Sequence, residues 1–225
     1  FFKNILYNFE ELKLYKIMKK FKLYTILLLS LFINNEIFAC KACGCSTKKE
    51  THSHSDKAIT KEVNTSKSSV KWLAKKVTGS HEGNVNIKDA HLHFEDGLLS
   101  GGTVVMDMQS IVCTDLEGEL KEQLEGHLLS EDFFGSSFYP EAKMEILKAQ
   151  KKSKDLYSIN AVISIKGIKQ NISFDATIKN GLATANLVID RTKFNIKYGS
   201  GSFFDNLGDN LIYDDFNLTV QIAYR

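Results

Sequence analysis

The sequence predicts an all-β domain, an antiparallel barrel of about eight strands with one helix inserted near residues 116–130. Three observations predict it. Downstream of residue 69, most segments alternate apolar and polar residues with period two. One segment alone carries leucine at every fourth position instead. Asn180-Gly181, between two alternating runs, is a strong hairpin signal. An antiparallel sheet with one wet face must pack on a second sheet or close on itself. The span from residue 69 to 225 exceeds the about 100 residues that a sandwich needs. A closed barrel of this size can enclose one small ligand.

Taken in order, the chain starts with a leader. Residue 1 is Phe and the first Met is Met18, so residues 1–17 read as upstream translated sequence. Met18 opens a basic start with Lys19, Lys20 and Lys22, followed by the apolar run Leu23 to Phe32 and then Ile37-Phe38-Ala39-Cys40. That pattern predicts a signal peptide over residues 1–39 together with the upstream residues, and export to the periplasm or cell envelope. The run is too short for a membrane-spanning helix. Ile37-Phe38-Ala39-Cys40 also resembles a bacterial lipobox, on which reading Cys40 is a lipidation site and a membrane anchor; ordinary cleavage after Ala39 is the alternative.

Residues 40–68 form a Cys-rich start and a linker. Cys40, Cys43 and Cys45, with His52 and His54, offer soft thiolates and imidazoles to Zn²⁺ or Cu⁺. The plainer reading is a tether with incidental cysteines. Residues 46–68 are polar and lack aromatics, so they are expected to stay unstructured.

The barrel domain spans 69–225. Its expected strands carry Val70, Trp72 and Ala74; Val85 and Ile87; Leu92 and Phe94; Val104, Met106 and Met108; and Met144 and Ile146. They continue with the alternations Tyr157 to Ile165, Ile172 to Ile178, Ala183 to Ile189, and Phe216 to Tyr224. Turns are expected at Gly79–Gly83, Glu95-Asp96-Gly97, Lys166-Gly167 and Asn180-Gly181. The inward faces are apolar, so the interior should accept an apolar guest and reject a charged one.

Leu116, Leu120, Leu124 and Leu128 form one stripe of the helix, which then breaks into Asp132-Phe133-Phe134-Gly135 and the only proline, Pro140. The helix reads as a plug over a barrel end, or as a gate. The long connection 191–215 is pliable at Gly199, Gly201 and Gly208, with Phe194, Phe203 and Phe204 as anchors; it reads as a binding loop or as a turn that covers core.

Nothing in the sequence calls for catalysis or a cofactor. It has no G-x-S-x-G, no H-E-x-x-H and no dinucleotide fingerprint. His91 and His93 share the wet face of their strand, and with His81 they make a conceivable histidine patch. His127 near Asp132 is placed to tie the helix to Phe133-Phe134. Cys113 reads as a buried free thiol. A net charge of +2 with interspersed signs excludes a nucleic-acid stripe. Homodimerisation stays open.

Together, Val70-x-Trp72, Gly79-x-His81-x-Gly83, His127-Leu128-x-Ser130-x-Asp132-Phe133-Phe134 up to Tyr139-Pro140, Ile163-x-Ile165-Lys166-Gly167-Ile168-Lys169 and Asp190-Arg191-x-x-Phe194 resemble the YceI-like family, in order and over residues 68–225. Asn195 departs from it, standing where the family usually has Gly. The resemblance implies a lipocalin-like barrel that is exported in bacteria and holds a polyisoprenoid or similar amphiphilic lipid. The lipid-lining residues are then Trp72, Phe94, Val104, Met106, Phe133, Phe134, Met144, Ile146, Ile163, Phe174, Leu187 and Leu218. The alternative is an exported metal-binding protein that uses the Cys-rich start and the histidines.

Overall fold

The computed structural model describes residues 58–225. The leader, Cys40, Cys43, Cys45, His52 and His54 lie outside the described residues. Eight strands follow one another as a meander: β2 (Ser69–Lys76), β3 (Gly79–Glu95), β4 (Leu98–Cys113), β5 (Glu141–Lys151), β6 (Leu156–Ile165), β7 (Ile168–Lys179), β8 (Leu182–Asp190) and β9 (Ile212–Ala223). Each pairs antiparallel with the next, and β9 pairs back onto β2, so the sheet closes into an eight-stranded barrel. Among the described residues there is a single α-helix, α1 (Gly118–Leu129), between β4 and β5.

One strand was not expected. Residues 58–68 are not all linker: β1 (Ala58–Glu62) pairs antiparallel with β3, from Ala58 opposite Glu95 to Glu62 opposite His91. A single turn of 3₁₀ helix at Thr65–Lys67 then leads into β2, capped by the Asn64 side chain. The backbone groups of this polar segment are satisfied by β3, not by water, which composition alone does not reveal.

The tight turns follow the sequence closely. Asp96-Gly97, Lys166-Gly167 and Asn180-Gly181 each have two successive positive φ values, the signature of two-residue hairpin turns that match the twist of the strands. Gly79–Gly83 is a correction. These residues form the start of β3, paired with β2 from Lys76 opposite Gly79 to Trp72 opposite Gly83. Gly83 is needed there for space, since a Cβ on it would stand 1.9 Å from the Val112 carbonyl oxygen and 2.6 Å from the Trp72 ring. The missing side chain lets the end of β4 lie against β3, with Cys113 opposite Gly83.

The helix also differs in one residue. Leu116, Leu124, Leu128 and Leu129 pack on the core, while Leu120 is 64% exposed. Leu116 lies ahead of the helix, which begins at Gly118, and at about 100° per residue Leu120, two four-residue steps back from Leu128, points about 80° away from it toward solvent. Burying Leu128 and Phe133 stabilises the fold by roughly 1.5–3 kcal/mol each.

The chain between β8 and β9 is anchored differently from expectation. Phe194 is buried as expected, but Phe203 and Phe204 are 47% and 50% exposed. Their place is taken by Ile196 and by Arg191, which is 4% exposed. The Arg191 guanidinium donates to the carbonyls of Tyr213, Ile196, Tyr198 and Ile212, and lies 3.5 Å from Asp214 Oδ1. One side chain thus bonds two carbonyls of the irregular loop and two at the start of β9, and ties them together. Asn195 follows at φ 60, ψ 27, the left-handed conformation that Gly adopts without cost and Asn tolerates best among the rest.

Candidate functional site: an apolar cavity inside the barrel

The strands turn at two ends. One end carries the β2–β3 turn, α1, the β6–β7 turn and the 191–211 loop; the other carries β1 and the remaining hairpins. A cavity of about 140 Å³ lies inside the barrel and reaches the α1 end. Its wall takes Val70 and Trp72 from β2, Val104, Met106 and Met108 from β4, Met144 from β5 and Ile163 from β6. Leu187 of β8 and Phe216, Leu218 and Val220 of β9 complete the ring. Leu128, Phe133 and Phe134 come from α1 and the turn that follows it, and Ile196 and Ile212 from the loop side.

A second cavity of about 40 Å³ lies deeper, lined by residues that include Leu92, Ile146, Ile159, Phe174 and Ile178. Val104, Met144, Leu187 and Val220 stand on both walls and form the partition between the two. Polar groups are few. Trp72 lines the larger cavity with its ring, while its buried Nε1–H, which has no hydrogen-bond partner among the described residues, adds no polar surface to the cavity. A buried donor of this kind is costly unless something accepts from it.

Eleven of the twelve lining residues expected from the sequence lie on these walls. Trp72, Val104, Met106, Phe133, Phe134, Met144, Ile163, Leu187 and Leu218 line the larger cavity, and Ile146 and Phe174 the smaller. Phe94 is buried but stands on neither wall. It packs against Tyr224 at 5.2 Å between ring centres, filling the β1 end. Met108, Phe216 and Val220 were missed although the same alternation marks them. Ile196 and Arg191 could not be found that way, because the loop that carries them has no period.

The α1 end is held by specific contacts. His127 Nε2 lies 3.4 Å from Asp132 Oδ2, and its ring stands edge-on to Phe133 and to Tyr198 of the long loop. This is the tie between helix and Phe133-Phe134 that the sequence suggests, extended to a second segment. The Glu125 carboxylate accepts from the Cys113 N–H at 2.7 Å, pinning α1 to the end of β4. Lys166, in the β6–β7 turn, donates to the Glu131 carbonyl. Gly135, at φ 55, lets the chain reverse and places Phe134 inward.

The histidines do not gather. His91 and His93 lie side by side on β3, with His93 Nδ1 3.1 Å from Thr60 Oγ1. His81 is instead paired with Asp115, Nδ1 to Oδ2, at 2.9 Å. Asp115 also accepts from the Glu82 N–H at 2.9 Å and the Cys113 thiol at 3.1 Å. Burial alone would raise the Asp115 carboxyl. The hydrogen bonds from Glu82, Cys113 and His81 outweigh it and bring the carboxyl down to about 2. Burial, then the bond to Asp115, pushes the Cys113 thiol up.

Comparison with known proteins agrees with this architecture. No curated protein sequence matches the chain. Among solved structures, BcnA of Burkholderia cenocepacia is similar at 20% identity and a TM-score of 0.58, covering 71% of this chain and 98% of its own. A polyisoprenoid-binding domain from Saccharophagus degradans, implicated in plant cell wall breakdown, is similar at 12% identity and a TM-score of 0.54, covering 73% and 97%. At these identities the likeness is one of fold. The sequence model of the YceI-like domain matches residues 62–224, nearly the whole described barrel, and the chain belongs to the YceI-like domain family.

Proposed function

We propose that this protein is an exported lipid-binding barrel that holds a polyisoprenoid or similar amphiphilic chain for transport, storage or sequestration. The observation that carries the reading is the larger cavity, walled by aliphatic, methionine and aromatic side chains and capped by α1. Removing apolar surface from water stabilises by about 25 cal/mol per Å², so such a wall favours a hydrocarbon guest. The Saccharophagus degradans domain, named for polyisoprenoid binding, supports the same ligand class.

The cavity is smaller than the about 300–1,000 Å³ typical of drug-sized sites. A long guest therefore requires the wall to give. Met106, Met108 and Met144 are unbranched and adaptable, and Met144 stands in the partition. Its displacement joins the two cavities into one bore suited to an extended chain. The reading contains no catalytic step.

Export, with Cys40 as a lipid anchor in the cell envelope, belongs to the same proposal and rests on the leader sequence. Solvent extraction of the purified protein followed by mass spectrometry tests the ligand. About one amphiphilic chain per barrel is expected; a barrel that carries none and takes up none from detergent-dispersed isoprenoids overturns the reading. Cys40→Ser should move the protein from the membrane fraction to the soluble one.

A further inference from the structure

We propose that His81, Cys113 and Asp115 form a site for one soft divalent metal ion of the zinc class. It is separate from the lipid cavity and does not rest on the lipid reading. The three residues come from the start of β3, the last residue of β4 and the segment leading to α1. One ligand atom from each lies within 4.8 Å of the others. His81 Nδ1 is 2.9 Å from Asp115 Oδ2, and Cys113 Sγ is 3.1 Å from Asp115 Oδ1.

Bond lengths of about 2.0–2.3 Å on tetrahedral zinc set its ligand atoms about 3.4–3.6 Å apart. The two hydrogen-bonded separations, 2.9 and 3.1 Å, fall about half an ångström short of that spacing, and the remaining one lies within 4.8 Å, so small side-chain shifts bring one oxygen of Asp115, the His81 nitrogen and the Cys113 sulfur around a single ion. Imidazole nitrogen, thiolate sulfur and carboxylate oxygen are donors that zinc accepts, and three protein ligands leave a fourth position for water.

The site has a floor and an entrance. Cys113 is fully buried, while the His81 and Asp115 side chains are each 28% exposed, so the ion can arrive from solvent and meet the thiol beneath. On binding, the Cys113 S–H gives up its proton to solvent and the sulfur takes the metal in its place. His81 binds through Nδ1 and carries its proton on Nε2. The Glu82 N–H remains on Asp115 Oδ1 and fixes the carboxylate, as outer-shell donors do in metal sites. Gly83 lets the end of β4 lie close on β3, and Glu125 accepts from the Cys113 N–H, so the thiol is held in place beneath His81 and Asp115.

The test uses the full chain with Cys40, Cys43 and Cys45 changed to Ser, which leaves Cys113 as its one thiol. Titration with Co²⁺ should give thiolate-to-cobalt charge-transfer absorption that saturates at one equivalent and is bleached by Zn²⁺. Cys113→Ser should abolish it. His81→Gln and Asp115→Asn should each weaken binding tenfold or more. Because Cys113 and Asp115 also support the fold, the partly exposed His81 gives the second readout. Zn²⁺ should raise the Tm of the parent, and His81→Gln should lose that rise while melting near the parent without metal. No charge-transfer absorption in the parent, or unchanged affinity in both His81→Gln and Asp115→Asn, overturns the site.

Discussion

The two ends of the barrel solve the problem of closure in opposite ways. At the β1 end the turns are short, and Phe94, Tyr157, Ile159 and Ile222 pack the interior down to the smaller cavity of about 40 Å³. An added strand lies along β3 there. At the α1 end the connections are long and irregular, and they close over a cavity instead of filling it. The contacts that hold this end are few and particular: the Arg191 guanidinium, the His127 ring and the Glu125 carboxylate. Both ends bury an apolar cluster, but only the α1 end closes over the larger cavity.

Breaking this division takes mutations at both ends. The largest loss is expected at the filled end, where Phe94→Ala should cost about 3–5 kcal/mol in denaturant unfolding. It should leave the release rate of a fluorescent isoprenoid from folded protein unchanged; faster release would mean that the ends are not independent. At the capped end, Arg191→Met leaves four carbonyls and Asp214 without their shared donor. A loss of about 3 kcal/mol or more is expected, together with faster proteolysis confined to residues 191–211.

Phe134 is half-buried, so Phe134→Ala should cost roughly 1.5–3 kcal/mol. Stopped-flow release then decides between gate and plug. Accelerated release from folded protein marks α1 and its turn as a gate, whereas equal rates with a lowered Tm leave a plug.

The smallest effect concerns acid. Burial would raise the Asp214 carboxyl, but bonds from Ser200 and Ser202 and the charge of Arg191 hold it below its usual value. A carboxyl lowered in the folded state contributes stability above its unfolded pKa of about 3.9, and loses it as pH falls through the folded value. The stability gap between wild type and Asp214→Asn should therefore narrow below about pH 4. A gap that is constant with pH would assign Asp214 a purely steric role.

Most of the barrel is legible in the sequence because a half-wet antiparallel strand must alternate, and eight segments do. What escapes is what alternation does not encode. β1 is an edge strand whose backbone is satisfied by β3, and its own Ile59 is 43% exposed. β4 bulges between Asp107 and Val112, so its phase resets after Met108 and both Ile111 and Cys113 turn inward. That reset, with Gly83 beneath it, brings Cys113 to residues more than thirty positions away along β3. Spacing along the chain gives no hint of it. The lining of the cavity was readable for the same reason as the strands, and its cap was not, since Ile196 and Arg191 sit in a loop without period.

The partition of Val104, Met144, Leu187 and Val220 bears on the order of events. A bore filled at one end and capped at the other has one doorway. Any long guest must enter one terminus first, and the terminus that enters first leaves last. On the proposed reading the trailing terminus stays under α1, while the leading one passes the displaced Met144 toward the β1 end. A lipid held this way keeps its hydrocarbon sheltered and its head group nearest the doorway.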